Sequence, residues 1–167
     1  GLVELSSIAT GFQVADIMLK TSNVELLLSR TICSGKFIVL IGGDVAEVSS
    51  SVERGIEHGD AAVIDSFTIP NVHPQVFDAI KAITKVDKLE ALGIIESFSV
   101  SSLIEAADAA VKAANVNLIE IRLAMALGGK AFVTLTGEVE AVTAAVEVGS
   151  NIISKKGLLV NSVIIPS

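Results

Sequence analysis

The chain repeats itself, and that limits it to folds that can be built twice. Gly1-Leu2-Val3-Glu4-Leu5 returns as Gly93-Ile94-Ile95-Glu96-Ser97, 92 positions on. At the same offset Asp16, Lys20, Asn23, Val24 and Leu26 become Asp108, Lys112, Asn115, Val116 and Leu118. Further along, Gly35-Lys36, Gly43 and Gly55 match Gly129-Lys130, Gly137 and Gly149 at an offset of 94, and Ser66, Ile69 and Pro70 match Ser162, Ile165 and Pro166. So many matches in order mark a duplicated unit of about 90 residues. The 167 residues are therefore expected to form two domains, 1–90 with a short C-terminal helix and 91–167 without its counterpart.

Periodicity gives the elements of one unit. Residues 2–5 read as a strand. Phe12, Ala15 and Leu19 recur at helical spacing, which predicts a helix over 12–20 with Asp16 and Lys20 one turn apart on another face. Strands are expected at 24–28 and 37–41, the second too continuously apolar to be a solvated edge. Gly42-Gly43-Asp44 turns the chain into a helix that ends near residue 55, with Asp44 and Glu47 at capping-box spacing. A strand over 62–69 stops at Pro70. Pro74 suits the first turn of a helix over 75–83, and 84–90 is the linker. The second copy predicts strands at 92–96, 118–122, 131–135 and 159–165, with helices at 102–114 and 140–148; Ser102 and Glu105 again have capping-box spacing. Each unit is β-α-β-β-α-β, an α+β split βαβ arrangement of ferredoxin-like type, read as a mixed sheet with helices on one side. This fold hosts many unrelated activities, so function has to come from the residues.

Composition removes several classes. Residues are 51% apolar but only 4% aromatic, with no Trp or Tyr, so rigid anchors for nucleotides or sugars are scarce. Lys and Arg number 12 against 19 Asp and Glu, a net charge of -7, and no basic run offers a surface to nucleic acid. No apolar run reaches the roughly 18 to 20 residues of a membrane span. A mean hydropathy of +0.69 then has to be hidden in cores and subunit contacts, which predicts a laterally packed oligomer. A lone cysteine permits no intramolecular disulfide, and with no signal-like start it suits a reducing cytoplasm.

That cysteine, Cys33, lies in Arg30-Thr31-Ile32-Cys33-Ser34-Gly35-Lys36, where Ser34-Gly35 places it on a turn. One thiolate cannot enclose a metal centre; as a ligand Cys33 would need identical copies supplied by symmetry. The alternative is an inert small hydrophobe. His58 and His73 have no metal-ligand grouping and read as a surface and a structural residue. Gly42-Gly43 and Gly128-Gly129 lack phosphate-loop spacing and read as turns. Cys33 has no nearby His as base, and no pair of carboxylates recurs at strand ends, so the chain is not expected to be an enzyme.

The segments Gly1 to Glu4, Ala15 to Val24, Ser34-Gly35-Lys36 and Gly43-Asp44-Val45, each with a second copy, resemble the BMC-domain shell proteins of bacterial microcompartments over the whole chain. Two such domains in tandem imply a pseudohexameric homotrimer. The turn with one Cys in the first copy only is similar to that of the iron-sulfur subgroup from propanediol-utilisation compartments. This resemblance implies that Cys33, Ser34, Gly35 and Lys36, with Leu127, Gly128 and Gly129 after Ala126 in the second copy, surround the axial pore. It also implies a [4Fe-4S] cluster, one per trimer, with metal ligand Cys33 from three subunits. Backbone N–H groups around 34–36 could then donate to cluster sulfurs, and the three Lys36 copies could offset the cluster's negative charge if they turn inward. Lys20 and Lys112 would make shell-edge contacts with other shell proteins. The implied role is a structural shell tile that passes electrons to a redox enzyme in the lumen or delivers clusters, with no nucleic acid or membrane as partner. A metabolite-conducting pore and a purely structural tile are the rival readings. Two departures stand out: the subgroup has Pro after the cysteine where this chain has Ser34, and the family's edge arginine has no match in Pro70-Asn71-Val72-His73-Pro74.

Overall fold

The computed structural model describes residues 1–167 as two compact units, Gly1–Pro70 and Asn71–Ser167. The first contains β1 (Leu2–Leu5), α1 (Ile8–Thr21), β2 (Glu25–Ile32), β3 (Lys36–Gly42), α2 (Val45–Gly59) and β4 (Val63–Phe67). Its sheet has the order β2-β3-β1-β4. Every neighbouring pair is antiparallel, with Glu4 opposite Ile38 and Asp65, and Leu26 opposite Ile41. The expected mixed sheet is corrected here. In each split βαβ a strand of opposite direction is inserted between the two that run alike, so no parallel neighbours remain.

Alternation on β1 and β3 sends Val3, Leu5, Phe37, Val39 and Ile41 to the helical side, where they pack with Val14, Ala15 and Met18 of α1 and Val48 and Val52 of α2. Close approach is made possible by Gly11. A Cβ there would lie 2.4 Å from the Phe37 ring. The sheet's other face carries Leu2, Glu4, Ile38 and Leu40, and these are buried as well.

The second unit begins with α3 (Pro74–Ile80) and continues through β5 (Ala91–Ser97), α4 (Val100–Ala113), β6 (Asn117–Arg122), β7 (Ala131–Gly137), α5 (Val139–Lys155) and β8 (Leu159–Ile165). The sheet order β6-β7-β5-β8 repeats that of the first unit. By contacts α3 groups with the second unit, packing on β6 and α4.

Helix limits differ from the sequence reading for local reasons. Ser7 and Ser99 cap α1 and α4, accepting from the N–H of Thr10 and Ser102, so both helices start before the expected residues 12 and 102. Asp44 stands at the N-cap of α2 without a side-chain capping bond. Helices α2 and α5 run past Gly55 and Gly149 to Gly59 and Lys155. Those two glycines admit Met18 and Ile95, whose atoms would lie 2.9 and 2.7 Å from an added Cβ. They serve packing and do not terminate the helices.

Candidate functional site

Two hairpin connections carry the residues singled out in the sequence. The first closes β2 onto β3 through Cys33–Gly35. Ile32 is buried and anchors it, Cys33 is half-buried, and Ser34 and Gly35 are exposed. Ser34 is left-handed at φ 66 and ψ 27, followed by Gly35 at φ 70. Nothing lies within 4 Å of a Cβ placed on Gly35. A proline, fixed near φ of about -65°, does not fit position 34 of this turn.

The second connection, 123–130, is longer and holds Ala124, Ala126, Gly128 and Gly129 at positive φ. Leu127 is half-buried and accepts from the Lys130 N–H at 3.2 Å, while Met125 and Gly128 are exposed. The two connections therefore differ in length and in chemistry: hydroxyl, thiol and glycine in one, apolar side chains and glycine in the other.

Lys36 is engaged within its own unit. Its Nζ donates to Glu4 Oε1 at 3.0 Å; the Lys36 side chain is 17% exposed and that of Glu4 is 0%. The matched pair in the second unit is Lys130–Glu96 at 2.6 Å, 39% and 28% exposed. Beside it the outer face of the second sheet forms a shallow cavity of about 320 Å³ lined by Ile94, Glu96, Phe132, Thr134, Asn161 and Val163. The sequence reading missed both pairs. Their signal was available, since Glu4 and Lys36 each recur in the repeat.

The iron-sulfur expectation is overturned by the ligand set. The chain has one cysteine, which is in no disulfide, and no group of three or more His, Cys, Asp or Glu side chains is placed to hold a metal ion. Three cysteine ligands to a [4Fe-4S] cluster cannot be formed from this set, because cluster irons are held by one thiolate each. The electron-transfer role rested on that cluster.

The edge lysines occupy matched places with different surroundings. Lys20 donates to Asp16 at 2.7 Å in an exposed pair, whereas Lys112 donates to Asp108 at 2.6 Å with Asp108 nearly buried. Asp108 also accepts from the His73 N–H at 2.8 Å, and Gln75 seals the sheet edge by accepting from the Leu118 N–H at 2.8 Å. His73 caps α3, accepting from the Gln75 N–H through Nδ1 at 3.4 Å; His58 is exposed at the end of α2.

A model of the BMC domain matches residues 1–72 and again 91–167, nearly the whole chain. The chain belongs to the BMC-domain family. It is 45% identical over 166 residues to the bacterial microcompartment shell protein PduT of Citrobacter freundii, covering 99% of this chain and 90% of that one. Among solved structures it resembles a microcompartment protein from Desulfitobacterium hafniense DCB, with 53% identity, a TM-score of 0.87, and coverage of 99% and 92%. A fused permuted hexameric shell protein, MSM0275 of the RMM microcompartment, shares the fold at a TM-score of 0.70 and 20% identity, covering 92% of this chain and 80% of that one. BMC-domain relatives of this kind are structural, so the chain is a microcompartment shell protein, similar to PduT, and not an enzyme. No helix is long and apolar enough to cross a membrane.

Proposed function

We propose that this chain is a shell tile that assembles head to tail as a homotrimer, with Cys33 to Lys36 and Ala126 to Gly129 bordering a central opening for small polar metabolites. One observation carries the assembly. In the first unit the outer sheet face is buried through Leu2, Ile38, Leu40 and Phe67, while α1 leaves Ile8, Phe12 and Leu19 open. The second unit reverses this: Val100, Ile104 and Val111 of α4 are buried, and the outer sheet face is open at the cavity. Each chain thus keeps one open face of each kind. Such a pair is satisfied by a heterologous contact between copies, which makes a ring when the rotation closes. Two similar units per chain make three copies a six-part ring.

The first connection suits the border of an opening because its exposed residues, Ser34 and Gly35, are small and left-handed, with open space around Gly35. Lys20 and Lys112 lie on the helices α1 and α4, where they would contact other shell proteins laterally. Exposed Met125 and half-buried Leu127 favour the second reading, a closed scaffold tile, since apolar side chains disfavour polar solutes.

Light scattering of the purified protein tests assembly. A mass three times that of the chain is expected, and a monomer at all concentrations overturns the proposal. Metabolite efflux from shells built with Ser34→Trp tests the opening. Slower efflux through shells of normal size is expected; unchanged efflux leaves the closed tile.

A further inference from the structure

We infer that the Glu96–Lys130 ion pair is an assembly lock, half-open in the single chain and buried when the α1 face of a second copy covers the outer face of the second sheet. This rests on the head-to-tail reading above. The first unit displays the covered form of the same surface. Residue for residue, Leu2, Glu4, Ile38, Leu40 and Phe67 correspond to Ile94, Glu96, Phe132, Thr134 and Val163, and the registers agree: Leu2 opposes Leu40 and Phe67, as Ile94 opposes Thr134 and Val163. In the covered form the carboxylate of Glu4 is inaccessible and held by Lys36. In the open form the pair is intact but wet, and the apolar residues around it line the cavity.

The occupant is a second copy of this chain. Its α1 presents Phe12, 64% exposed, where the matched Ile104 of α4 is 2% exposed, together with Ile8 and Leu19. An exposed ring on one surface and an apolar-walled cavity on the other are complementary in chemistry. Charge agrees with this. Glu96 and Lys130 neutralise each other, so an apolar face can desolvate them together, whereas either one alone would be left as an unpaired buried charge. A partner that supplied its own charge to this site would instead gain from losing one of the two.

The test compares wild type with Glu96→Gln, Lys130→Met and the double variant by sedimentation across a dilution series. Wild type is expected to assemble. Each single variant should raise the dissociation midpoint on the order of a hundredfold, and the double variant should recover most of that loss. Melting of each variant diluted below its midpoint reads the fold separately and should shift less. If a single variant fails to fold, the charge-swapped Glu96→Lys with Lys130→Glu, which keeps the pair, is expected to assemble. Wild-type association in both single variants, or no recovery in the double, overturns the lock while leaving head-to-tail assembly standing. A wild type that stays monomeric removes the assembly reading, and the lock with it.

Discussion

Glu4 and Glu96 occupy the same place in two copies of one unit and are exposed differently, which makes them a matched comparison of a buried and a solvated ion pair. Removing one partner of a buried pair strands a charge in a poorly solvated place and costs about 3–5 kcal/mol. An exposed pair contributes about 0–1 kcal/mol. Glu4→Ala is accordingly expected to lower the unfolding free energy by about 3 kcal/mol and Glu96→Ala by less than about 1 kcal/mol, read from urea titrations of dilute protein. Equal losses would show that Glu4 is solvated. Ser34 makes a second residue-scale prediction. Its left-handed backbone costs a non-glycine residue about 1–2 kcal/mol. Ser34→Gly should therefore gain a few tenths to about 1 kcal/mol after the larger entropy of the unfolded glycine is subtracted. Ser34→Pro should lose about 3 kcal/mol or more, since the ring cannot adopt positive φ. The same titration checks both.

At the scale of elements, the helix ends show what could be read from the residues and what could not. Two domains, the strand and helix order and the hairpin at Cys33 were legible because the repeat, the turn residues and the hydrophobic periods all coincided. Helix ends were not. Gly55 and Gly149 look like stops in sequence, but their missing side chains answer contacts with Met18 and Ile95 that lie far away along the chain. Likewise Asp44 has the spacing of a capping box and makes no capping bond, while Ser99 does cap α4. Ser99→Ala is expected to cost about 1 kcal/mol and Asp44→Ala less than about 0.5 kcal/mol in the same denaturation assay. Gly11→Ala would push a methyl into the Phe37 ring and should cost about 1–3 kcal/mol through overpacking between α1 and β3. The cluster expectation failed for a similar reason: a cysteine on a turn can be read from one chain, but a ligand set is a property of groups brought together, and none is gathered here.

For the whole molecule, the apolar excess that composition announced is placed unevenly. Phe12, Ile8 and Leu19 stay open in the first unit and Val163 and Ile165 in the second, while their counterparts elsewhere in the chain are largely covered. Burying apolar surface between copies stabilises the folded chain by mass action, so a tile held together in this way has a melting temperature that climbs with concentration. Phe12→Arg separates assembly from folding. The ring is mostly outside the core, although it rests against Phe37 at 4.9 Å between centroids, so the variant should fold with a loss of about 1 kcal/mol. It would set a desolvated cation against the outer face of the second sheet of the next copy, and association should fail. Differential scanning calorimetry over a hundredfold range of concentration is expected to show a rising midpoint for wild type and a constant one for Phe12→Arg. A wild-type midpoint independent of concentration would mean that the open faces are not the joints of the tile. A variant that still climbs would place the joint away from α1.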